Sequence, residues 1–348
     1  MAQIEALFLI DLIATFAPYM IVALSLNLEY GFCGIPNFGK TLSVAGGAFL
    51  VGFLPGRLAA QILGLDTSKY IENNAKIITM INNALQTNLL LSLSLLILTL
   101  FSAMVLGAIL GFLASYPAIR LREEYLAMTF LAVGEVMLII GYNYPELVGG
   151  TLGVSVPDPF VWAGKYRFLL ITIFMLFIAL LVFIYLQLLT KSPLGRLLRA
   201  IRDNENAALA FGKDVIKIRM KVIILSSAIA ALGGALYAFY TSNVIATAYQ
   251  RVSWTFWPWV MVILGGAANN LGVVLGTFIF VAVRKFIIFY KEIFGIYVPF
   301  DVVWLDMLLL GIALILILLY KSEGLIPEKP IKTIEIHRNQ SKMSKIES

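Results

Sequence analysis

Residues 168–212 read FLLITIFMLFIALLVFIYLQLLTKSPLGRLLRAIRDNENAALAFG. The first part, 168–190, holds no charged residue and exceeds the roughly 20 apolar residues a helix needs to cross a hydrocarbon core about 30 Å thick. From Lys191 the chain turns polar and cationic and stays so to Gly212. An apolar span gains nothing from a capped, alanine-rich, charged helix at its end unless something outside the bilayer grips it. The fold class and the first functional expectation both follow from this junction.

The rest of the chain repeats the first half of the pattern. Of 348 residues, 60% are hydrophobic and 13% charged, whereas a soluble globule carries about a quarter charged. The fold class is therefore all-α, a polytopic integral membrane protein. Spans are predicted at about 6–28, 41–64, 88–115, 124–143, 168–190, 217–241, 254–268, 271–290 and 301–320, about nine transmembrane helices. Two of these are irregular in composition. The 41–64 stretch contains Gly46, Gly47, Gly52, Pro55 and Gly56, and 254–268 is short, so one or two broken or re-entrant segments are expected. Met1–Leu28 contains Glu5 and Asp11 and lacks a basic leader, so it is read as the first span rather than a cleaved signal.

One cysteine, Cys33, and one histidine, His337, exclude a disulfide framework, a clustered metal site and a Cys/His nucleophile. No cofactor is expected. The net charge of +6 gathers beside apolar spans, which reads as topology and anionic lipid contact rather than nucleic-acid binding. Lys191, Arg196, Arg199, Arg202, Lys213, Lys217, Arg219 and Lys221, with Lys321, Lys329, Lys332, Arg338, Lys342 and Lys345 after the last span, belong inside. The expected location is the plasma (inner) membrane, with the N-terminus outside, Arg120 and Arg122 inside, and the C-terminus cytoplasmic. Residues 1–324 are read as one transmembrane domain, with a cytoplasmic loop at 191–216. The polar, aperiodic 325–348 is read as a disordered tail.

Within that loop, Asp203 is a suitable N-cap, Glu205 sits in the first turn, and Gly212 occupies the position after the helix end. They bracket a helix over Asn204–Phe211, about 12 Å long at 1.5 Å per residue. Ala207, Ala208 and Ala210 keep it slim, and Phe211 offers an apolar anchor. Upstream, Arg196, Arg199 and Arg202 fall on one side of a helical turn and Leu197, Leu198 and Ile201 on the other. Spacing alone supports two readings, a docking knob or a loop whose arginines hold topology.

The pattern Gly195-Arg196-x-x-Arg199-Ala200-Ile201-Arg202-x-x-Glu205-x-Ala207-Ala208-x-x-x-Gly212 resembles the cytoplasmic loop of the permease subunits of branched-chain amino-acid ABC importers. In that family the segment is a coupling helix seated in a groove of the ATPase subunit. The likeness extends over about residues 20–320. It includes Leu121-Arg122-x-x-Tyr125-Leu126-Ala127-x-x-Phe130 with Gly134-Glu135-Val136, Gly149-Gly150-Thr151-Leu152-Gly153-Val154, and Leu225-Ser226-x-Ala228 through Tyr237. It ends with Leu264-Gly265-Gly266 through Gly272 and Gly276. The chain departs at Gly39-Lys40, where the family often has Gly-His, at Ala268, where a glycine is common, and at Val148, where a threonine is.

The resemblance implies ATPase coupling by Gly195, Arg196, Arg199, Arg202, Asp203, Glu205, Ala207, Ala208, Phe211 and Gly212. It also implies a translocation-path or helix-organising role for Glu135, Asn27, Gly149, Gly150, Gly265 and Gly266. The implied partners are a paralogous permease in a heterodimer, two cytoplasmic ATPase subunits and an external substrate-binding protein. Residues 34–40, GIPNFGK, lack the spacing of a phosphate-binding loop, so ATP hydrolysis must come from another chain and no enzyme activity is expected here. An ionised Glu135 at mid-span costs at least a few kcal/mol unless paired or hydrated, and a lining role and a pairing role both fit. Asp11, Asp301 and Asp306 read as interfacial. Ser25, Asn27, Ser226 and Ser227 read as interhelical hydrogen-bonding groups or as contacts for a zwitterionic substrate, Gly107/Gly111 and Gly272/Gly276 as packing faces, and Trp254, Trp257 and Trp259 as an interfacial belt. Three functions stay open: import of branched-chain amino acids, the same architecture carrying urea, amides or another small solute, and an ion-coupled transporter acting alone.

Overall fold

A computed structural model describes residues 2–118, 121, 123–290, 307–308, 311–312, 315–316, 319–320 and 323–328. The expected span 301–320 lies largely outside them, as do Arg120, Arg122, Asp301, Asp306, His337 and most of the tail. The elements in order are α1 (Ala2–Asn27), α2 (Lys40–Ile62), α3 (Asn74–Thr87), α4 (Leu89–Ala118), α5 (Glu123–Asn143), α6 (Pro145–Val148), α7 (Arg167–Lys191), α8 (Pro193–Asp203), α9 (Glu205–Ala210), α10 (Val215–Thr241), α11 (Trp257–Gly265) and α12 (Asn270–Phe289). Two short strands, β1 (Val154–Ser155) and β2 (Asn243–Val244), pair antiparallel. Among the described residues, seven helices are long and apolar enough to cross a membrane.

The bundle centres on α2 and α10, whose membrane-length windows are mostly buried. Their glycines explain why. A Cβ on Gly234 of α10 would overlap the Val44 carbonyl oxygen, and one on Gly47 of α2 would overlap that of Ala231. The glycines of 41–64 therefore serve close helix approach, and α2 runs without interruption through Pro55. Around this pair, α1 lies against α12, α7 and α10, and α4 covers α2 and α10. The outward faces of α4, α5 and α7 carry exposed Ile97, Phe101, Met128, Ile139, Ile173 and Phe177, an apolar periphery suited to lipid or another membrane subunit.

The irregular segment is 254–268. Helix α11 spans only nine residues, preceded by a π-helical turn at Val252–Phe256. The two together extend about 21 Å at 1.5 Å per residue, short of a roughly 30 Å core. The half-helix ends at Gly266, with φ 108°, a conformation that excludes a side chain. A second discontinuity follows α1, where a π-helical turn at Leu28–Phe32 leads into non-helical residues 34–39. Such backbone survives at depth only when protein satisfies it. Here Ile35 N donates to the Glu29 carbonyl (2.9 Å), Gly39 N to Asn37 Oδ1 (2.8 Å), and Trp259 Nε1 to the Asn37 carbonyl (3.1 Å).

This arrangement corrects the expectation of an aromatic belt. Trp254, Trp257 and Trp259 are buried, Trp254 stacked on Tyr19 and Tyr249 and Trp259 on Phe38. They fill the space that a shortened helix leaves rather than ring the bundle.

At the end of the bundle away from α8, α3 packs Ile77, Ile78, Ile81 and Leu85 against a small cluster with Ala59, Ala60 and Tyr70. Asn74 Oδ1 accepts from Ser155 N (2.7 Å), Asn82 Oδ1 accepts from Asp158 N (2.9 Å), and Asp158 pairs with Arg167 (2.6 Å). Gly149 and Gly150, both at positive φ, turn the chain after α6 into this cap.

Candidate functional site

The polar loop folds as two short helices set at a corner. Ser192 caps α8 by accepting from Leu194 N, and Pro193 opens the helix. Gly195 is buried where a Cβ would overlap the Thr190 carbonyl oxygen, so α8 turns back tightly on the end of α7. Leu198 and Ile201 are buried, as their spacing predicts. Arg196 is exposed, while Arg199 and Arg202 point inward. Arg199 lies over Phe32 and pairs with Glu328 at 2.8 Å. Arg202 pairs with Glu328 (2.9 Å) and Asp203 (2.9 Å) and donates to the Gly31 carbonyl (2.6 Å).

The cap of α9 is Asn204 rather than Asp203. Asn204 is extended, and its Oδ1 accepts from Ala207 N at 3.0 Å, whereas Asp203 is the last residue of α8. Either side chain can cap; the choice falls one residue later because it lets Ala208 pack with Ile201 and Val215. Glu205 sits in the first turn and pairs with Arg219 of α10 at 3.0 Å. Gly212, at φ 72°, closes the helix, with Gly212 N donating to Leu209 O and Lys213 N to Ala208 O. Asp214 then caps α10, and hydrogen bonding from Lys217 holds its carboxyl below the usual carboxylate range. The result is a braced knob with Ala207 exposed, Leu209 half exposed and Phe211 83% exposed.

The knob is tied to the half-helix through residues 323–328. Leu325 N and Ile326 N donate to the carbonyls of Leu264 and Gly265 (2.9 and 3.0 Å), and Asn269 Nδ2 donates to the carbonyls of Ile326 and Pro327. Glu328 then reaches the α8 arginines. Gly265 and Gly266 are needed because a side chain at either would overlap the Gly272 or Ile326 carbonyl oxygen.

Asn27 organises the same corner from the other side. Its Oδ1 accepts from Ala268 N (2.9 Å), and its Nδ2 donates to Asn270 Oδ1 (2.9 Å), while Asn270 Nδ2 donates to Gln187 Oε1 and Thr190 Oγ1. Deeper in the bundle, Lys40 Nζ lies 3.1 Å from Glu29 Oε2, both side chains fully buried. Lys40 also donates to Ser226 Oγ, which donates to the Ser25 carbonyl (2.7 Å). The sequence reading missed Glu29. The signal was present: Glu29 and Lys40 are the only charged residues between Asp11 and Arg57, and two opposite charges so placed must meet or be expelled.

Glu135 stands near the middle of α5 and pairs with Arg251 at 2.7 Å. Unlike Glu29 and Lys40, these side chains remain 33% and 40% exposed. The structure thus brings Glu135, on α5, beside the residue that precedes the π-helical turn leading into α11. Among the described residues no group of three His, Cys, Asp or Glu side chains could hold a metal.

Residues 8–318 match the family described as branched-chain amino acid transport system / permease component. The chain is 44% identical over 332 residues to the probable branched-chain amino acid transport permease protein LivM of Methanocaldococcus jannaschii, covering 93% of this chain and 96% of that one. It is 25% identical over 248 residues to the high-affinity branched-chain amino acid transport system permease protein LivM of Escherichia coli, covering 64% of this chain and 55% of that one. A match at 32% over 198 residues, 53% of this chain and 61% of the relative, is to the probable branched-chain amino acid transport permease protein LivH of the same Methanocaldococcus. No solved structure matches the chain significantly.

Proposed function

We propose a function from one premise: this chain belongs to the family of branched-chain amino acid transport system permease components. It is a multi-pass membrane permease subunit. In this reading it serves an ATP-driven importer, moving branched-chain amino acids handed over by an external binding protein while separate ATPase subunits hydrolyse the nucleotide. The likeness to both LivM and LivH relatives supports a paralogous permease as its membrane partner.

The observation that carries the reading is the α9 knob. Leu209 and Phe211 are apolar and exposed, yet the helix beneath them is fixed by its Asn204 cap, the Gly212 turn and the Glu205–Arg219 pair. A rigid apolar projection beside cationic residues suits receipt of force from another protein. Placing it in the cytoplasm puts residues 323–328 there too, since Glu328 pairs with Arg199 and Arg202. Glu135 and Asn27 belong in this reading to the moving interior.

The test is co-purification of ATPase subunits with a Leu209→Asp, Phe211→Asp double variant, together with leucine uptake in proteoliposomes. The variant is expected to reach the membrane but to lose both ATPase capture and import. Full import with normal ATPase capture would end the coupling assignment. Arg202→Glu is a poorer probe, because Arg202 holds the chain's own Gly31 and Glu328. Should the binding protein take urea or an amide instead of leucine, the cargo changes and the architecture stands.

A further inference from the structure

A zwitterion that crosses an apolar bundle needs a counter-charge for each end, and the pair Glu135–Arg251 differs from the other ion pairs in being able to offer both. Glu29 and Lys40 are sealed, with no exposure. Asp11 pairs with Lys285 and also accepts from Tyr240 Oη, and it lies in the first turns of α1's membrane-spanning stretch. Glu135 lies near the centre of α5, on a stripe with exposed Met128, Ile139 and Tyr142. Charges left open at that depth toward lipid cost a few kcal/mol or more, so of the two neighbours that suit the outward face of α5, lipid or another membrane subunit, the Glu135 stripe fits the second.

The surroundings are those of a site. Gly134 packs on Gly39 of the irregular 34–39 segment, and Arg251 immediately precedes the π-helical turn that begins the half-helix. Both discontinuities therefore abut Glu135, the arrangement that transporters use for midplane binding. Arg251 reaches Glu135 Oε2 through Nε at 2.7 Å, and its two Nη groups make no hydrogen bond to the described residues. Glu135 Oε2 is buried beneath this ionic contact without an aligned hydrogen bond, and its other oxygen accepts none from the described residues. Val136, Ile139 and Phe256 stand exposed nearby in sequence.

We infer that Glu135 and Arg251 form the subsite for the headgroup of the cargo: the free guanidinium fork takes an α-carboxylate and the Glu135 carboxylate takes an α-ammonium. No covalent step or proton transfer is involved. The inference rests on the import reading above and adds to it where the amino acid's charges are held in transit.

The experiment uses the full permease–ATPase complex without the external binding protein and measures equilibrium binding of tritiated leucine. Competition comes from 4-methylpentanoate, which lacks the amine, and 3-methylbutylamine, which lacks the carboxylate. Wild type is expected to bind leucine and to ignore both competitors. Arg251→Gln and Glu135→Gln should each weaken leucine binding by roughly 10- to 100-fold, the usual result of removing one partner of a charge pair. Glu135→Gln should also lose most of the preference for leucine over 4-methylpentanoate, a change that a purely structural pair would not produce. Glu135→Asp, with ATPase co-purification as the assembly check, should recover part of the affinity. Variants that bind and discriminate as wild type overturn the headgroup site, as does a wild-type complex that binds no leucine although the complete transporter imports it. A complete transporter that imports no branched-chain amino acid overturns the import reading instead.

Discussion

Replacing Lys40 by Met leaves Glu29 as an uncompensated carboxylate with no exposure, inside a stretch that offers no other cation. At the observed 3.1 Å separation the lost attraction is about 5 kcal/mol for an effective dielectric near 20. Part of that offsets the cost of having taken both groups out of water, so breaking the pair from one side should destabilise by about 3–5 kcal/mol. Glu29→Leu should do the same from the other side. The double variant removes both charges and substitutes apolar volume, which is often neutral or stabilising, although it strands Ser226 without its lysine. The assay is thermal inactivation in detergent, scored by size-exclusion profile, for wild type, both single variants and the double. A double variant more stable than either single one is expected, with a coupling of at least about 2 kcal/mol. Additive losses would refute the reasoning, since they would mean each side chain is held by neighbours rather than by the other.

Gly234→Val should abolish accumulation of folded protein, because the Val44 carbonyl oxygen occupies the place of any Cβ at that position; immunodetection of protease-resistant chain measures it. Burial pushes the Cys33 thiol up to about 12, so at pH 8 roughly one molecule in ten thousand is thiolate. Maleimide should therefore label Cys33 only after denaturation, and prompt labelling of the native protein would contradict its burial. Glu328→Arg should release residues 323–328 from Arg199 and Arg202. Protease access near residue 326 should rise, while a paired Arg202→Glu should restore part of the protection.

The spans were legible because a 23-residue apolar run such as 168–190 has few alternatives in water. The broken segment was legible too: Pro258, Gly265 and Gly266 punctuate a run too short to cross. In the 41–64 stretch the same residue type meant something else, because glycine permits both a break and a close crossing, and only the neighbouring helix decides. Asp203 and Asn204 are near-equal caps, so a one-residue error there reflects equivalent chemistry settled by the packing of Ala208. The tryptophans misled because their amphipathic rings suit an interface as well as a core. The Glu135–Arg251 pair could not be matched from spacing, since its partners meet across an irregular segment that periodicity does not describe, whereas Glu29–Lys40 was legible from the isolation of its two charges and not from their spacing.

The backbone between α1 and α2 borrows its partners from far along the chain. Thr41 N needs Thr255, the Asn37 carbonyl receives Trp259, and Asn27 waits for Ala268 and Asn270. A ribosome that has delivered only the first two spans, to Ile62, has produced polar groups whose acceptors and donors lie far along the chain still to be made, at Thr255, Trp259, Ala268 and Asn270. In hydrocarbon those groups have no water to fall back on. The opening hairpin must therefore stay in a sheltered or partly hydrated setting until the half-helix arrives, which makes assembly of this subunit a late event in its own synthesis.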